Sequence, residues 1–458
     1  MELSGPPFTP PRVIPSTSPL GRIGFIRAFV RNPLEALPAA AFEEDFVPAG
    51  TPASPRAWVS APALIKAVLL DERDKFRKLT QIKLLSPLLG KGVLTSEGAD
   101  WKWQRQASAP MFRPQDLLGF VPAFVRAADA TVARWRASPA DTIHALDEDM
   151  TNVTFDVIAS TLLPSSDEGF GRTVQESILT LQRYGGWNIL FVSMNVPRWL
   201  PKPGMFDEPR AVLRLRAVVM KLLREVREKR KEAAAPDDLM QRLITARDSE
   251  SGRSMDDEQL VDNLLTFYLA GHETTAKALT WTLYLLARSP AWAGELVDEI
   301  QRVTGGAPVR GEHIEKLVLT QQVLKESMRL YPPVPMMTRQ AVADARIGER
   351  AIAKGTSILM SIYAIHRHSK RWERPHEFDP TRFAPAREAA IPRYQYMPFG
   401  AGPRICIGMP FAMIEATAIL ATYLQHASFE WAGHEEPVPV ARVTLIPKGG
   451  MPMKVSLR

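Results

Sequence analysis

Residues 399–408 read Phe399-Gly400-Ala401-Gly402-Pro403-Arg404-Ile405-Cys406-Ile407-Gly408, and the chain continues as MPFAMIEATAILATYL. Glycine and proline at this density prescribe a tight loop with backbone N–H groups turned inward, and Pro410 suits the first turn of an apolar helix. A sulfur held there, beside a helix N-terminus and two residues from Arg404, is biased towards thiolate. A lone cysteine taken by itself reads as an inert buried side chain; the surroundings of this one argue against that. Cys406 is the single cysteine of the 458 residues, which excludes an intramolecular disulfide, a cysteine zinc cluster and a Cys-x-x-Cys redox pair. The loop begins as G-x-G but continues with Pro403 and has no third glycine at 405, so the dinucleotide fingerprint fails.

Upstream, the most informative stretch is a long helical pattern from about Asp256 to Ser289, with Ser254-x-x-Asp257 as a capping-box signal and Pro290 as the stop. At 1.5 Å per residue it spans roughly 50 Å, enough to cross a whole domain. Its centre is apolar on nearly every side (Leu264, Leu265, Phe267, Tyr268, Leu269) and then turns polar in AGHETT, Ala270 to Thr275. Buried polar residues at mid-helix are either satisfied core groups or a site. His272-Glu273 is not a zinc-protease motif, because the second histidine would fall on Ala276. GKG at 90 to 92 lacks the rest of a phosphate loop. A second long helix is expected over Asp207 to Glu232, its charged end REVREKRKE being a solvated face.

Composition bounds the rest. With 45% apolar and 23% charged residues and a net charge of +7, the chain is an ordinary globular protein with a modest basic excess. No basic run is interleaved with aromatics, so nucleic acid is not an expected partner. No run reaches the ~18 apolar residues of a membrane span, and the expectation is a soluble, cytoplasmic protein. Prolines crowd the first 20 residues, which read as an extended arm (1–20) ahead of a single domain (21–458). Strands are few: Arg56 to Ser60, Ala341 to Ile347 and Ser357 to Tyr363. The fold class is mainly α with a minor β lobe.

Phe399-x-x-Gly402-x-Arg404-x-Cys406-x-Gly408 resembles the haem-binding loop of the cytochrome P-450 superfamily. Trp101-x-x-x-Arg105, Ala270-Gly271-x-Glu273-Thr274, Glu326-x-x-Arg329 and Pro380-x-Arg382-Phe383 resemble further family motifs in the family's order, and the resemblance covers roughly residues 40 to 458. It implies a long central helix over a haem b (iron protoporphyrin IX), with Cys406 as the axial iron ligand. Such a thiolate pushes electron density that favours O–O cleavage. Trp101, Arg105, Arg339 and Arg404 match the propionate-binding positions; Phe399, Gly402 and Gly408 shape the loop, and Ala270 and Gly271 are small as a helix against a porphyrin requires.

The resemblance also gives Thr274 and Glu273 the delivery of protons, with a hydrogen bond from Thr274 back to Ala270 opening the helix locally. His272 is expected to be a packed or solvent-side residue rather than a catalyst. Glu326, Arg329 and Arg382 form a structural ion network behind the Cys loop. Substrate contacts fall near Ile82 to Leu94, at Phe267 and Ala270, over Val334 to Thr338 (Val334, Met336 and Met337 among them) and at Ile446 to Met451, ending in Met451. These positions are apolar, and the AGHETT and YPPVP strings resemble the fatty-acid-hydroxylase branch more than the camphor-type branch.

The implied activity is a haem-thiolate monooxygenase that inserts one oxygen atom from O2 into a fatty-acid-, alkane- or terpenoid-like molecule. The chain has no flavin or dinucleotide fingerprint, so electrons from NAD(P)H are expected through a ferredoxin or similar small acidic protein and its reductase, docking near Lys102 and Arg113. Two alternatives stay open: a peroxide-using or non-oxygenating haem-thiolate enzyme, and a haem-binding sensor.

Overall fold

The computed structural model describes residues 8–16, 20–162, 168–193, 196–197, 199–232, 238–248 and 251–458. Of the arm expected over 1–20, residues 1–7 and 17–19 lie outside the described residues. Residues 8–16 form no helix and are pinned by long-range hydrogen bonds. The Phe378 N–H donates to the Phe8 carbonyl at 2.9 Å, the Tyr331 hydroxyl to the Pro11 carbonyl at 2.7 Å, and the Val13 N–H to the Tyr363 hydroxyl at 3.1 Å.

Helices dominate the chain, and its contacts divide it into two compact units. The first draws on Met1–Arg77, Leu117–Phe155 and His272–Arg458, and the second on Lys78–Asp116 and Asp156–Gly271. All strands among the described residues belong to the first unit. Its main sheet runs, in spatial order, Phe46–Thr51, Ser54–Val59, Ser357–Ser361, Met336–Ala341 and Phe76–Arg77. Only the pairing of Ser54–Val59 with Ser357–Ser361 is parallel. One face packs a core that includes Ile65, Val68, Leu69, Ile347, Ile358, Met360, Tyr394 and Met397. The expected strand Ala341 to Ile347 is split: Met336–Ala341 belongs to this sheet, whereas Ala345–Ile347 turns away to pair with Arg350–Ile352. Ser357–Ser361 also ends early, because the Ser361 hydroxyl accepts from the Ala364 N–H and caps a short helix, Ile362–Ile365.

The helix Met409–His426 is buried along almost its whole length from Phe411 to Leu424. Phe411 meets Phe124 edge-on with ring centroids 5.1 Å apart, and Tyr423 lies 4.8 Å from Trp135, so aromatic pairs lock this helix against Val121–Ala137.

In the second unit, Glu168–Ser193 packs against Asp207–Glu232, which begins where the sequence places it. The central helix spans Asp257–Ala287. Its capping box is not the one expected. Asp256 accepts from the Gln259 N–H at 2.8 Å while the Gln259 side chain accepts from the Asp256 N–H at 3.3 Å. Ser254 instead pairs with Arg247 in an isolated bridge. The helix is α throughout Ala270–Thr274.

Candidate active site

The loop that carries Cys406 is folded by its own backbone. The Gly400 N–H donates to the Met397 carbonyl at 3.0 Å, the Ile405 N–H to Gly402 at 3.1 Å and the Cys406 N–H to Phe399 at 2.9 Å. Gly400 and Gly402 have φ of +73° and +70°, the left-handed region that a side chain disfavours. At Gly402 a Cβ would also lie 2.8 Å from the Leu69 carbonyl oxygen, so this position is closed to any other residue without movement of the backbone beneath it. Gly408, with φ of −84°, is the N-cap of Met409–His426, and no side chain caps that end. The first-turn N–H groups are therefore left for whatever sits at the loop.

Cys406 itself is exposed on the loop, ahead of a helix whose body is buried. Among the described residues no three of His, Cys, Asp and Glu converge as a metal site. A single soft sulfur at a helix N-terminus therefore fits an iron whose other ligands arrive with a macrocycle, and Cys406 is the residue that would hold it. Arg339 is buried on Met336–Ala341, its guanidinium donating to the Thr338 carbonyl at 2.8 Å, and Arg404 is half-buried in the turn Gly402–Arg404. Both supply positive charge within the first unit, as carboxylates of such a group require.

Behind the loop lies a buried ion cluster. Glu326 and Arg329 are wholly buried and share a bidentate pair at 2.7 and 2.8 Å. The remaining Arg329 donors reach the carbonyls of His366 and Pro375 at 2.8 Å and of Glu377 at 2.9 Å. Glu326 accepts from the Asp379 N–H at 2.9 Å. Arg382 approaches Glu326 at 3.4 Å and donates to the Arg374 carbonyl at 2.9 Å; burial lowers its pKa. A buried pair needs such complete satisfaction to offset the loss of hydration.

On the central helix, the polar residues after Ala270 separate by face. His272 is buried, meets Phe155 edge-on at 6.0 Å, and its carbonyl accepts from the Thr154 hydroxyl at 2.9 Å. Burial drives its pKa down to about 4, so it is a neutral packed residue. Glu273 and Thr274 are both half-buried. The Glu273 carboxylate accepts from the Thr444 hydroxyl at 2.6 Å, a partner in the C-terminal hairpin that nothing in the local sequence signals.

The second unit holds Trp101, Arg105, Phe267, Ala270 and Gly271. Trp101 and Arg105 are half-buried one turn apart on Gly98–Ser108, while Trp103, Gln104 and Ala107 face inward. Ala270 is exposed in an otherwise buried stretch. A Cβ on Gly271 would come 2.9 Å from Ile158 Cδ1, so helix packing is one reason for a glycine there. Phe267 is buried edge-on against Phe112 at 5.4 Å. The Gly90-Lys91-Gly92 turn is docked on the central helix: the Lys91 N–H donates to Asp262 at 2.7 Å and the Val93 N–H to Asn263 at 2.9 Å, and Arg216 pairs with Asp262 at 2.6 Å.

Of the expected substrate contacts in the first unit, Val334 and Met336 are half-buried. Met337 packs on the sheet core, and its sulfur lies 3.4 Å from where a Cβ on Gly400 would sit. Met451 is wholly buried, its N–H bound to Asp147 at 2.8 Å.

Comparison with known proteins agrees with this construction. Residues 52–453 match the family model described as Cytochrome P450. The chain is 33% identical over 372 residues to a cytokinin hydroxylase of Arabidopsis thaliana, covering 79% of this chain and 71% of that protein. It is 32% identical over 429 residues to cyclooctat-9-en-7-ol 5-monooxygenase of Streptomyces melanosporofaciens, covering 92% and 90%. It is also 30% identical over 412 residues to cyclooctatin synthase of the same organism, covering 89% and 88%. A match over most of the chain, with a lone cysteine on a glycine-folded loop braced by a buried Glu-Arg pair, makes the chain a member of the cytochrome P450 family and an oxidoreductase of the monooxygenase type.

Proposed function

We propose that the protein binds haem b through Cys406 and hydroxylates a lipophilic small molecule of fatty-acid, alkane or terpenoid type. Electrons would come from a separate small acidic redox protein of ferredoxin type. The observation that carries the reading is Cys406, an exposed lone sulfur on a loop fixed by left-handed glycines at a helix N-terminus. Held by the Cys406 thiolate, an iron porphyrin would supply the electron push that favours O–O cleavage. The chain's own residues hold and orient. Arg339, Arg404, Arg105 and Trp101 offer cations and a donor to the two propionates. Phe399, Gly402 and Gly408 keep the sulfur in its loop, and Glu326, Arg329 and Arg382 brace it. Thr274 offers a hydroxyl that can hold and pass a proton, and Glu273 is the acid one residue before it. Ala270, small and exposed, lies one turn before Thr274 on the same helix.

The relatives named as hydroxylase and monooxygenase support oxygen insertion. Exposed Lys102 and Arg113 on the second unit offer an acidic carrier its charge complement. The test is spectroscopic. The reduced protein with CO should show the long-wavelength band of thiolate ligation, and Cys406→His should lose it. Titrating a library of small lipophiles into the oxidised protein should then identify binders by the shift of the Soret band. A Cys406→Ser variant that kept the thiolate band and full turnover would sink the ligand assignment.

A further inference from the structure

Asp262 divides its carboxylate between two segments that are far apart in sequence. One oxygen accepts from the Lys91 N–H at 2.7 Å, and the other accepts from the Arg216 guanidinium at 2.6 Å. The Asp262 side chain is only 8% exposed, so it has little water to replace either partner. Arg216, on Asp207–Glu232, is 30% exposed and gives up the pair to solvent more readily. Asp262 and both partners belong to the second unit.

The contact accounts for the glycines of the GKG run at 90 to 92, which is no phosphate loop. A Cβ on Gly90 would strike the Asp262 carboxylate, and one on Gly92 would lie 2.8 Å from the Asp262 carbonyl oxygen. Bare backbone therefore lets the turn lie against the central helix. The turn is otherwise closed on its neighbours. The Thr95 hydroxyl donates to the Gly90 carbonyl at 2.8 Å, and the Gln104 amide donates to the Lys91 carbonyl at 3.1 Å. Asn263 accepts from the Val93 N–H and donates to Gln104, both at 2.9 Å.

The helix ahead of the turn, Leu79–Leu89, is held less firmly. It packs against Glu168–Ser193 and Asp207–Glu232, but of its residues only the last, Leu89, is buried. Ile82, Leu84, Leu85 and Leu88 are half-buried. A segment with few buried apolar contacts opens locally at low free-energy cost, so the anchor at its end decides where it sits. That anchor is the Asp262 contact, two residues beyond Leu89.

We propose that Asp262 is a positioning residue for the substrate, through which the placement of Leu79–Leu89 depends on Arg216. The inference rests on the function proposed above, with Ile82 to Leu94 meeting the substrate. When Arg216 withdraws, the carboxylate becomes a buried charge without a counter-charge; it regains water by turning outward and leaves the Lys91 N–H unpaired. A hydrogen bond to a charged group shifts an equilibrium by about ten- to hundred-fold, enough to change how often the helix moves aside for a bulky ligand while a small one passes regardless.

The experiment is amide hydrogen exchange on the full-length haem-loaded protein, read by mass spectrometry over peptides from 79 to 97, together with stopped-flow binding of imidazole and of the bulky azole clotrimazole. Arg216→Gln should speed exchange over Lys91 to Val93 by about ten-fold or more. Asp262→Asn, which keeps the side-chain shape, should do the same, and it replaces the first variant if that one loses haem. Arg216→Lys keeps the charge and should return exchange close to the wild-type rate. The amides of Gly400 to Cys406 should exchange as in the wild type, which excludes general loosening. Clotrimazole should enter and leave several-fold faster in Arg216→Gln, with imidazole rates unchanged. Exchange is read without ligand or turnover, so its failure is separate from a failure of the proposed function, which a missing CO band would show. The proposal is overturned if exchange over Lys91 to Val93 does not respond, if it rises together with that of the Cys406 loop, or if the rates of both azoles change by the same factor or not at all.

Discussion

The imidazole Nε2 of His366 accepts the backbone N–H of Met397 at 2.8 Å, and both residues are buried. This bond links the ion cluster to the cysteine loop. Arg329 holds the His366 carbonyl, the His366 ring holds Met397, and the Met397 carbonyl in turn accepts from Gly400. The brace thus acts on the backbone that precedes Phe399 and leaves the sulfur itself untouched.

That bond requires neutral histidine, and the site enforces it. Burial first, then the charges of Arg329 and Arg367, lower the His366 pKa to about 3. In the unfolded chain the same ring titrates near the ordinary value of 6.5. Above that value neither state binds the proton and the group contributes nothing to pH dependence. As pH falls below it, only the unfolded state takes up the proton, so stability is lost progressively down to the folded pKa. His272, held near 4, acts in the same direction. At about pH 5 each should cost roughly 2 kcal/mol relative to neutral solution. His366→Gln keeps an acceptor for Met397 and cannot titrate, so its denaturant-measured stability should fall less steeply with acid than the wild type's. Parallel curves would show that His366 is not the group responsible.

The glycines of the loop should not be equally replaceable. Gly400→Ala meets only the left-handed backbone and the end of the flexible Met337 side chain, so it should cost about 1 kcal/mol. Gly402→Ala adds a clash with the Leu69 carbonyl, which belongs to the main-chain floor of the loop and cannot swing aside. Its cost should exceed about 2 kcal/mol, with a clear loss of bound haem. Equal melting temperatures for the two variants would show that the floor yields.

Glu326 and Arg329 should behave as a unit. Glu326→Gln or Arg329→Leu alone leaves a buried charge uncompensated and should cost about 3–5 kcal/mol. The double variant should cost less than the sum of the two, since neither charge then remains alone. Additive losses in a double-mutant cycle would mean that each side chain is held by the backbone groups around it and not by the other.

What could be read from the chain was what depends on neighbours in sequence. The helix that begins at Asp207 was legible because its acidic first turn and charged run are local signals. The Cys406 loop was legible because Gly400, Gly402 and Pro403 restrict their own backbone. The start of the central helix near Asp256 was legible, but its capping box was not, because Ser254 and Asp256 both suit an N-cap and only the pairing of Ser254 with Arg247 decides between them. The strand expected through Ala341 to Ile347 failed because a bend at Val342 and Ala343, which no glycine or proline marks, separates two segments with different partners. The Leu69 floor, the His366 bond and Thr444 were invisible for one physical reason. Each joins segments that only the tertiary fold brings together, 171 residues apart for Thr444 and Glu273.

The Thr444 bond gives the sharpest test of the residues assigned to proton handling. Its hydroxyl donates to Glu273 at 2.6 Å from a buried position, a short bond to a carboxylate worth about 1.5–3 kcal/mol. Valine has the same shape without the donor, so Thr444→Val releases the carboxylate while keeping the hairpin packed. If Glu273 works with the neighbouring Thr274, freeing it should lower the fraction of NAD(P)H converted to hydroxylated product and raise hydrogen peroxide several-fold, the direction also expected of Thr274→Ala. Binding of a lipophile should stay close to wild type, because the Soret shift reports the ligand and not the proton path. Thr444→Ser restores the hydroxyl and should restore coupling. A Thr444→Val protein that lost stability yet coupled as well as the wild type would make the Thr444–Glu273 bond a brace of the hairpin alone, and would remove Glu273 from the proton path.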